Sequence, residues 1–405
     1  MSALAEPRHH AAFDDKLAKR NALVLTVAQA LAGGNNTVIV STSSIIGAVL
    51  APDKGLATLP ITCMILGMWA GTLPIGWMAR RYGRRFALQA GSFFGIASGL
   101  ISYSSVMTGS FWLLLLGTFC GGLYAAAHQS YRFAAADTAS DAFRPKAVSW
   151  VLAGGVFAAF IGPQLVIATK DMLSPHLFAA SFLGQSACAV IAAIVLIFVK
   201  VPPLPAVRPA QGRPIGSIVR TPRFLIALVC GVASYGLMNM LMTSAPLAMV
   251  GCGHSVTDAA LGIQWHVIAM YGPSFFTGSL ILRFGVERIT GIGLMLLVAA
   301  AGVGISGLTV AHFWGGLVLL GLGWNLAFIG ATTMVTQCHR PEERNKVQAF
   351  NDFLIFGGMA VTSFSSGQML AYLSWQAINE VIFPTVAVAF ALLVWHTMRR
   401  RAAAA

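Results

Sequence analysis

Twelve apolar runs occupy almost the whole chain, near residues 21–50, 57–79, 86–107, 110–134, 146–169, 175–199, 222–249, 257–282, 287–309, 312–336, 347–373 and 375–397. A hydrocarbon core of roughly 30 Å, crossed at about 1.5 Å per residue, needs about 20 apolar residues in succession. Backbone amides in lipid must be satisfied internally, so runs of this length, without the alternation of barrel strands, admit helices and little else. The expected fold is an all-α integral membrane protein with 12 transmembrane helices. At 57% hydrophobic residues, 10% charged residues and a mean hydropathy of +0.75, the composition is outside the range of a soluble domain of 405 residues.

A net charge of +13 raises the question of nucleic acid, and the placement of the charge answers it. Among the 26 Lys and Arg residues, only Lys54 and Lys170 fall in loops after odd-numbered spans and only Arg132 falls in a span away from its first two residues. The rest lie in the two tails, the even-numbered junctions and the middle linker. That is a positive-inside bias, which puts both termini in the cytoplasm and leaves no role for nucleic acid. The first 20 residues carry charges of both signs with no cleavage pattern, so the first span is expected to stay as a membrane helix. Six cysteines without any CxxC pair form neither a disulfide framework nor a metal motif by themselves.

Residues 200–221 form a Pro-rich stretch with basic and no acidic residues. It divides the chain into a tail (1–20), a six-helix bundle (21–199), a cytoplasmic linker (200–221), a second six-helix bundle (222–397) and a tail (398–405). The halves echo each other. GWMARRYGRR (76–85) matches GSLILRFGVE (278–287) in its first Gly, the Arg at the sixth place, the aromatic and the next Gly, and FRPKAVSW (143–150) matches ERNKVQAF (343–350) in Arg144 with Arg344 and Lys146 with Lys346. Equivalent junctions about 200 residues apart indicate a duplicated unit.

On these residues the chain resembles the major facilitator superfamily, whose signature is a short basic loop between the second and third spans. Gly76, Arg81, Gly83, Arg84 and Arg85 stand at its positions, and Arg80 stands where the family carries an Asp. The resemblance implies two pseudo-symmetric six-helix bundles around a midplane cavity, alternating between inward-open and outward-open states.

Ionisable groups at membrane depth are functional candidates by default. On the fourth span HQSYRFAAAD carries His128, Arg132 and Asp137, with Arg132 expected to pair with Asp137 or with an acid on a neighbouring helix. Asp352 opens the eleventh span, where a cap or gate is expected. These four are the gating or coupling candidates. Met238 and Met242 on the seventh span, and His266 and Met270 on the eighth, are i, i+4 pairs on single helix faces. Counted from their cytoplasmic ends, Met238 and Met270 differ in depth by roughly 6 Å. Two thioethers with a thioether and an imidazole make a soft, neutral ligand set suited to Cu(I). Met is also a common core filler, which is the competing explanation. Cys230, Cys252 and Cys338 are accessory candidates for a thiol relay.

MNMLM (238–242) together with HVIAM (266–270) resembles the paired motifs of the CcoA-like copper importers, a bacterial branch of the superfamily. That resemblance implies an inner-membrane importer in which Met238, Met242, His266 and Met270 bind copper as transported substrate. It also implies copper chaperones and the assembly machinery of cbb3-type cytochrome c oxidase as partners, with no permanent cofactor. QSYRFAAADTAS (129–140) is similar to members of the branch that carry organic cargo such as riboflavin. Two alternatives therefore stand beside copper import. One is a transporter of a small organic molecule, with Trp265, Tyr271, Trp324 and Tyr131 lining its cavity; the other is a non-transporting assembly factor. The nucleotide loop GxxxxGK[ST] is absent, so ATP does not drive the protein directly. No nucleophile, base and oxyanion constellation points to an enzyme. Coupling to a proton gradient stays open, through His128, Asp137 or His266.

Overall fold

The computed structural model describes residues 15–137, 139–140, 143–200, 212–340 and 343–402, and all regular structure among them is helical. The first half contains α1 (Asp15–Leu50), α2 (Leu59–Arg81), α3 (Arg84–Thr108), α4 (Phe111–His128), α5 (Tyr131–Asp137), α6 (Arg144–Thr169) and α7 (Ala179–Leu196). The short α8 (Ile215–Val219) lies in the linker. The second half contains α9 (Pro222–Gly251), α10 (Val256–Tyr271), α11 (Ser274–Phe284), α12 (Val286–Ser306), α13 (Val310–Thr336), α14 (Arg344–Tyr372), α15 (Trp375–Glu380) and α16 (Ile382–Ala402). Among the described residues eleven helical segments are long and apolar enough to cross a membrane, and the pair α10 and α11, bent by 42°, makes twelve. An even number puts both termini on one face.

Helix ends follow local chemistry. Pro stands in the first turn of α2, α6 and α9, where its missing N–H costs nothing. Ser255 and Asp258 form a reciprocal capping box at the start of α10, with Asp258 N–H donating to Ser255 Oγ at 3.0 Å. The outermost helices run past the ends of their apolar stretches. α1 starts at Asp15, whose carboxylate accepts from Ser140 N and Oγ at 3.2 and 3.0 Å, and α16 continues to Ala402.

In the first bundle α1 packs along α6, α2 and α3 along α4, and α3 along α7; in the second, α9 packs on α13 and α14, and α12 on α13 and α16. Small residues allow this. A Cβ on Gly67 would fall 2.2 Å from the Phe119 carbonyl oxygen and one on Gly122 1.9 Å from that of Met64, so α2 and α4 touch backbone to backbone. The duplication extends to backbone geometry. Gly83, between α2 and α3, has φ +91° and ψ 156°; Gly285, between α11 and α12, has φ +90° and ψ 149°.

The bundles meet through α6 against α10, α2 against α14 and α1 against α9. Hydrogen bonds cross between them towards the face opposite the termini. Thr58 Oγ1 donates to the Ser363 carbonyl at 3.0 Å, Thr62 Oγ1 to Ser363 Oγ at 3.1 Å, Gln368 Nε2 to the Gly55 carbonyl at 3.0 Å, and the Tyr372 hydroxyl to Asp53 at 2.9 Å. Gln164 Nε2 donates to Gln264 Oε1 at 2.8 Å between α6 and α10. The ion pairs near the terminus-bearing face, Arg84 with Asp137 and Arg213 with Glu343, each stay within one half or bind it to the linker. The molecule is thus latched at the face opposite its termini.

Candidate functional site

The four proposed metal ligands all lie on α9 and α10. Met238 (1% exposed) and Met270 (6%) belong to the core of the second bundle, with Leu297 and Leu320, while the partly buried Met242 touches that core and the cluster between the bundles. His266 is fully buried, with Nδ1 2.7 Å from the Leu317 carbonyl oxygen of α13. A carbonyl only accepts, so Nδ1 carries the proton and Nε2, buried without a hydrogen-bond partner, keeps its lone pair. Among the described residues, no group of three or more His, Cys, Asp or Glu is placed to hold a metal ion. The accessory cysteines sit in separate environments. Cys230 is buried with Sγ 3.9 Å from the Ala389 carbonyl, Cys252 is exposed at the end of α9, and Cys338 donates to the Met334 carbonyl at 3.2 Å.

The charged candidates separate into two sets. Asp137 does not pair with Arg132: its carboxylate accepts from Arg84 Nε at 2.8 Å, so the acid missing from the basic loop is supplied by the fourth span. Of the rest of that loop, Gly76 and Arg81 are in α2, and Arg84 and Arg85 open α3. Asp352 is not a helix cap, for α14 begins at Arg344 and Asp352 stands about two turns inside it. It accepts from Asn351 Nδ2 at 3.3 Å and interacts electrostatically with Arg132 of the opposite bundle. It is exposed, and the charge it interacts with belongs to the opposite bundle. Arg132 also feels the phenols of Tyr271 and Tyr235, and its Nε is buried with no hydrogen-bond partner. His128 is enclosed by the rings of Tyr124 and Tyr131, each 6.2 Å away between centroids, and also interacts electrostatically with Arg132.

Beside the charges stands a wall of four rings from the second bundle. Trp324 and Phe328, one turn apart on α13, stack at 5.2 Å and 14°. Tyr235 of α9 meets them at 5.3 and 4.8 Å, and Tyr271 of α10 reaches Trp324 at 6.3 Å. A Cβ on Gly155 of α6 would lie 3.3 Å from the Tyr271 ring, so this wall abuts the first bundle. Counted along the helices from the terminus-bearing face, Arg132 and Asp352 are roughly 8 to 12 Å deep and the rings roughly 12 to 20 Å. Of the aromatics expected at a cavity, Tyr271 and Trp324 are here. Trp265 is 43% exposed beside Trp314 on the outer surface, and Tyr131 is buried within the first bundle. Tyr235 and Phe328 escaped the sequence reading; the i, i+4 spacing of Trp324 and Phe328 was the available signal.

The profile of the Major Facilitator Superfamily matches residues 25–337. The chain is 46% identical over 394 residues to the riboflavin transporter RfnT of Brucella anthropi, covering 96% of this chain and 99% of that protein. It is 27% identical over 382 residues to YddS of Bacillus subtilis, an uncharacterised MFS-type transporter, covering 87% and 86% of the two chains. Among solved structures, a mutant of the nucleoside transporter NupG superposes with a TM-score of 0.70 at 14% identity, covering 93% of this chain and 99% of that one. A D-xylose-proton symporter superposes with a TM-score of 0.71 at 13% identity, covering 93% and 96%.

Proposed function

The chain belongs to the major facilitator superfamily, and from that premise we propose that it carries a riboflavin-like flavin inward across the bacterial inner membrane, both termini lying in the cytoplasm. The carrying observation is the wall of Tyr235, Tyr271, Trp324 and Phe328 beside the Arg132 and Asp352 pair, at the interface of the two bundles. Stacked rings offer a flat apolar face to a planar heterocycle. One positive and one negative side chain leave the site without net charge, which suits a neutral cargo. The name of the Brucella anthropi relative supports the same chemistry. The copper-importer resemblance finds no such support among the relatives, and a guanidinium beside the path disfavours a bare cation.

In this reading, cargo bound at the rings leaves towards the cytoplasm when the side bearing the termini opens. Reopening towards the outside requires the Thr58, Thr62, Gln368 and Tyr372 hydrogen bonds to break.

The test is uptake of radiolabelled riboflavin by cells lacking their own flavin carriers. The intact protein is expected to raise uptake, Trp324→Ala and Tyr271→Ala to remove most of the gain, and Trp265→Ala, on the outer surface, to leave it in place. No gain with the intact protein sinks the proposal.

One observation keeps copper as a second reading. His266 presents a neutral ring whose Nδ1–H is fixed by a carbonyl, leaving the Nε2 lone pair available, as a metal-ligating imidazole requires. Met238, Met242 and Met270 would complete the set. Copper accumulation dependent on the intact protein and lost in His266→Leu would favour that reading over the flavin one.

A further inference from the structure

Arg132 and Asp352 have unspent hydrogen-bonding capacity, and for the buried Arg132 Nε that is costly. They come from opposite bundles and interact electrostatically, yet among the described residues no ion pair or hydrogen bond joins them. Arg132 Nε and, in the adjoining ring wall, Trp324 Nε1 are buried donors without a partner. Asn351 Nδ2 engages one oxygen of Asp352 at 3.3 Å, and a carboxylate with two oxygens has about four acceptor positions. An unpaired buried donor carries its full desolvation penalty until something accepts from it. The gap between these groups therefore asks for a ligand edge with both acceptors and a donor, next to a face that stacks on aromatic rings.

Flavins have such an edge. The pyrimidine end of the isoalloxazine presents a carbonyl oxygen, the N3–H and a second carbonyl oxygen in succession, and it is coplanar with the rings that would stack on Tyr235, Tyr271, Trp324 and Phe328. We infer that Arg132 and Asp352 are the specificity pair of the site: the Asp352 carboxylate accepts from the flavin N3–H and the Arg132 guanidinium donates to an adjacent carbonyl oxygen. The inference rests on the flavin reading above and adds the end of the molecule that is recognised. Because the two residues come from α5 and α14, a cargo held this way joins the two bundles, coupling its presence to their relative movement. A pair serving only as a gate would affect the transport rate and be indifferent to the chemistry at N3.

The experiment is equilibrium titration of purified full-length protein by quenching of flavin fluorescence, comparing riboflavin with N3-methylriboflavin, which lacks the donor and keeps the stacking face. Wild type is expected to bind riboflavin tighter by about tenfold or more, the loss that follows from leaving a carboxylate covered by the bound flavin without its donor. Asp352→Asn is expected to bind riboflavin more weakly and to narrow the ratio to about threefold or less, since an amide can turn its own NH₂ away from the methyl group. Equal affinity of wild type for the two flavins overturns the inference and leaves flavin transport standing. Binding of neither flavin removes the reading beneath it and the inference together. If Asp352→Asn does not fold, the wild-type ratio decides alone.

Discussion

At the scale of single residues, Trp324 and His266 separate the two cargo readings. Trp324 touches three of the other groups at the site, whereas His266 is turned towards Leu317 of α13 and away from them. His266→Leu is expected to leave flavin uptake within about twofold of wild type, since it removes one buried hydrogen bond and one unsatisfied nitrogen together. The same pair shows what the sequence could and could not reveal. Adjacent helical positions are about 100° apart, so a chain that points His266 at α13 must send Trp265 to the periphery, and no count of aromatics shows which is inside. Asp352 was recognisable as an intramembrane acid but not as one within electrostatic reach of Arg132, because they lie about 220 residues apart in different bundles and only the packing of the bundles relates them. Glu343, outside the spans, gives a prediction at the same scale. Its buried carboxylate accepts from Arg213 Nη2 at 2.8 Å, from Arg213 Nε at 2.9 Å and from Arg340 N–H at 2.9 Å, and the bonds from Arg213 above all hold its pKa below the ordinary carboxylate value of 4.5. A carboxylate depressed on folding stabilises the fold above its ordinary pKa and loses that contribution as pH falls through the depressed value. The unfolding-temperature difference between wild type and Glu343→Gln should be full near neutral pH and shrink well below pH 4.5.

At the scale of elements, the break between α10 and α11 is the informative one. Gly272 and Pro273 interrupt the eighth span and Asn325 of α13 takes up the loosened groups, donating to the Met270 carbonyl at 2.6 Å and to Ser274 Oγ at 2.7 Å while accepting from Thr277 Oγ1 at 2.6 Å. Irregular backbone at membrane depth survives only when its polar groups are satisfied in this way. Asn325→Leu is expected to destabilise the protein by about 1 to 3 kcal/mol, read as a lower unfolding midpoint in detergent, and an unchanged midpoint would contradict the assignment. Gly83 carries a second element-scale prediction. A Cβ there meets nothing within 4 Å, so Gly83→Ala tests backbone strain alone, and its φ of +91° with an extended ψ sets a cost of about 1 kcal/mol or more. The twelve spans and the matching loops at Gly83 and Gly285 were readable from apolar length and Gly spacing. The bend was not, because GP in an apolar run is equally compatible with a straight, kinked or broken helix until Asn325 is seen to fill it.

At the scale of the whole molecule, hydrogen bonds across one face hold the two bundles together there. Thr62 Oγ1 and Ser363 Oγ are 3.1 Å apart across that latch. The double variant Thr62→Cys, Ser363→Cys is expected to lose uptake on oxidation and recover it with reductant, while either single variant is unaffected; full activity of the oxidised pair would show that the latch does not open during transport. Two-bundle architecture was legible from the duplicated junctions about 200 residues apart, but cargo was not, since the Met and His spacing and the aromatic residues both lie on the same spans and only packing tells wall from core. The most direct measurement is riboflavin accumulation in liposomes containing only the purified protein. Saturable accumulation that Trp324→Ala removes and copper salts do not compete with is the predicted result; no flavin accumulation, with copper taken up instead, would contradict it.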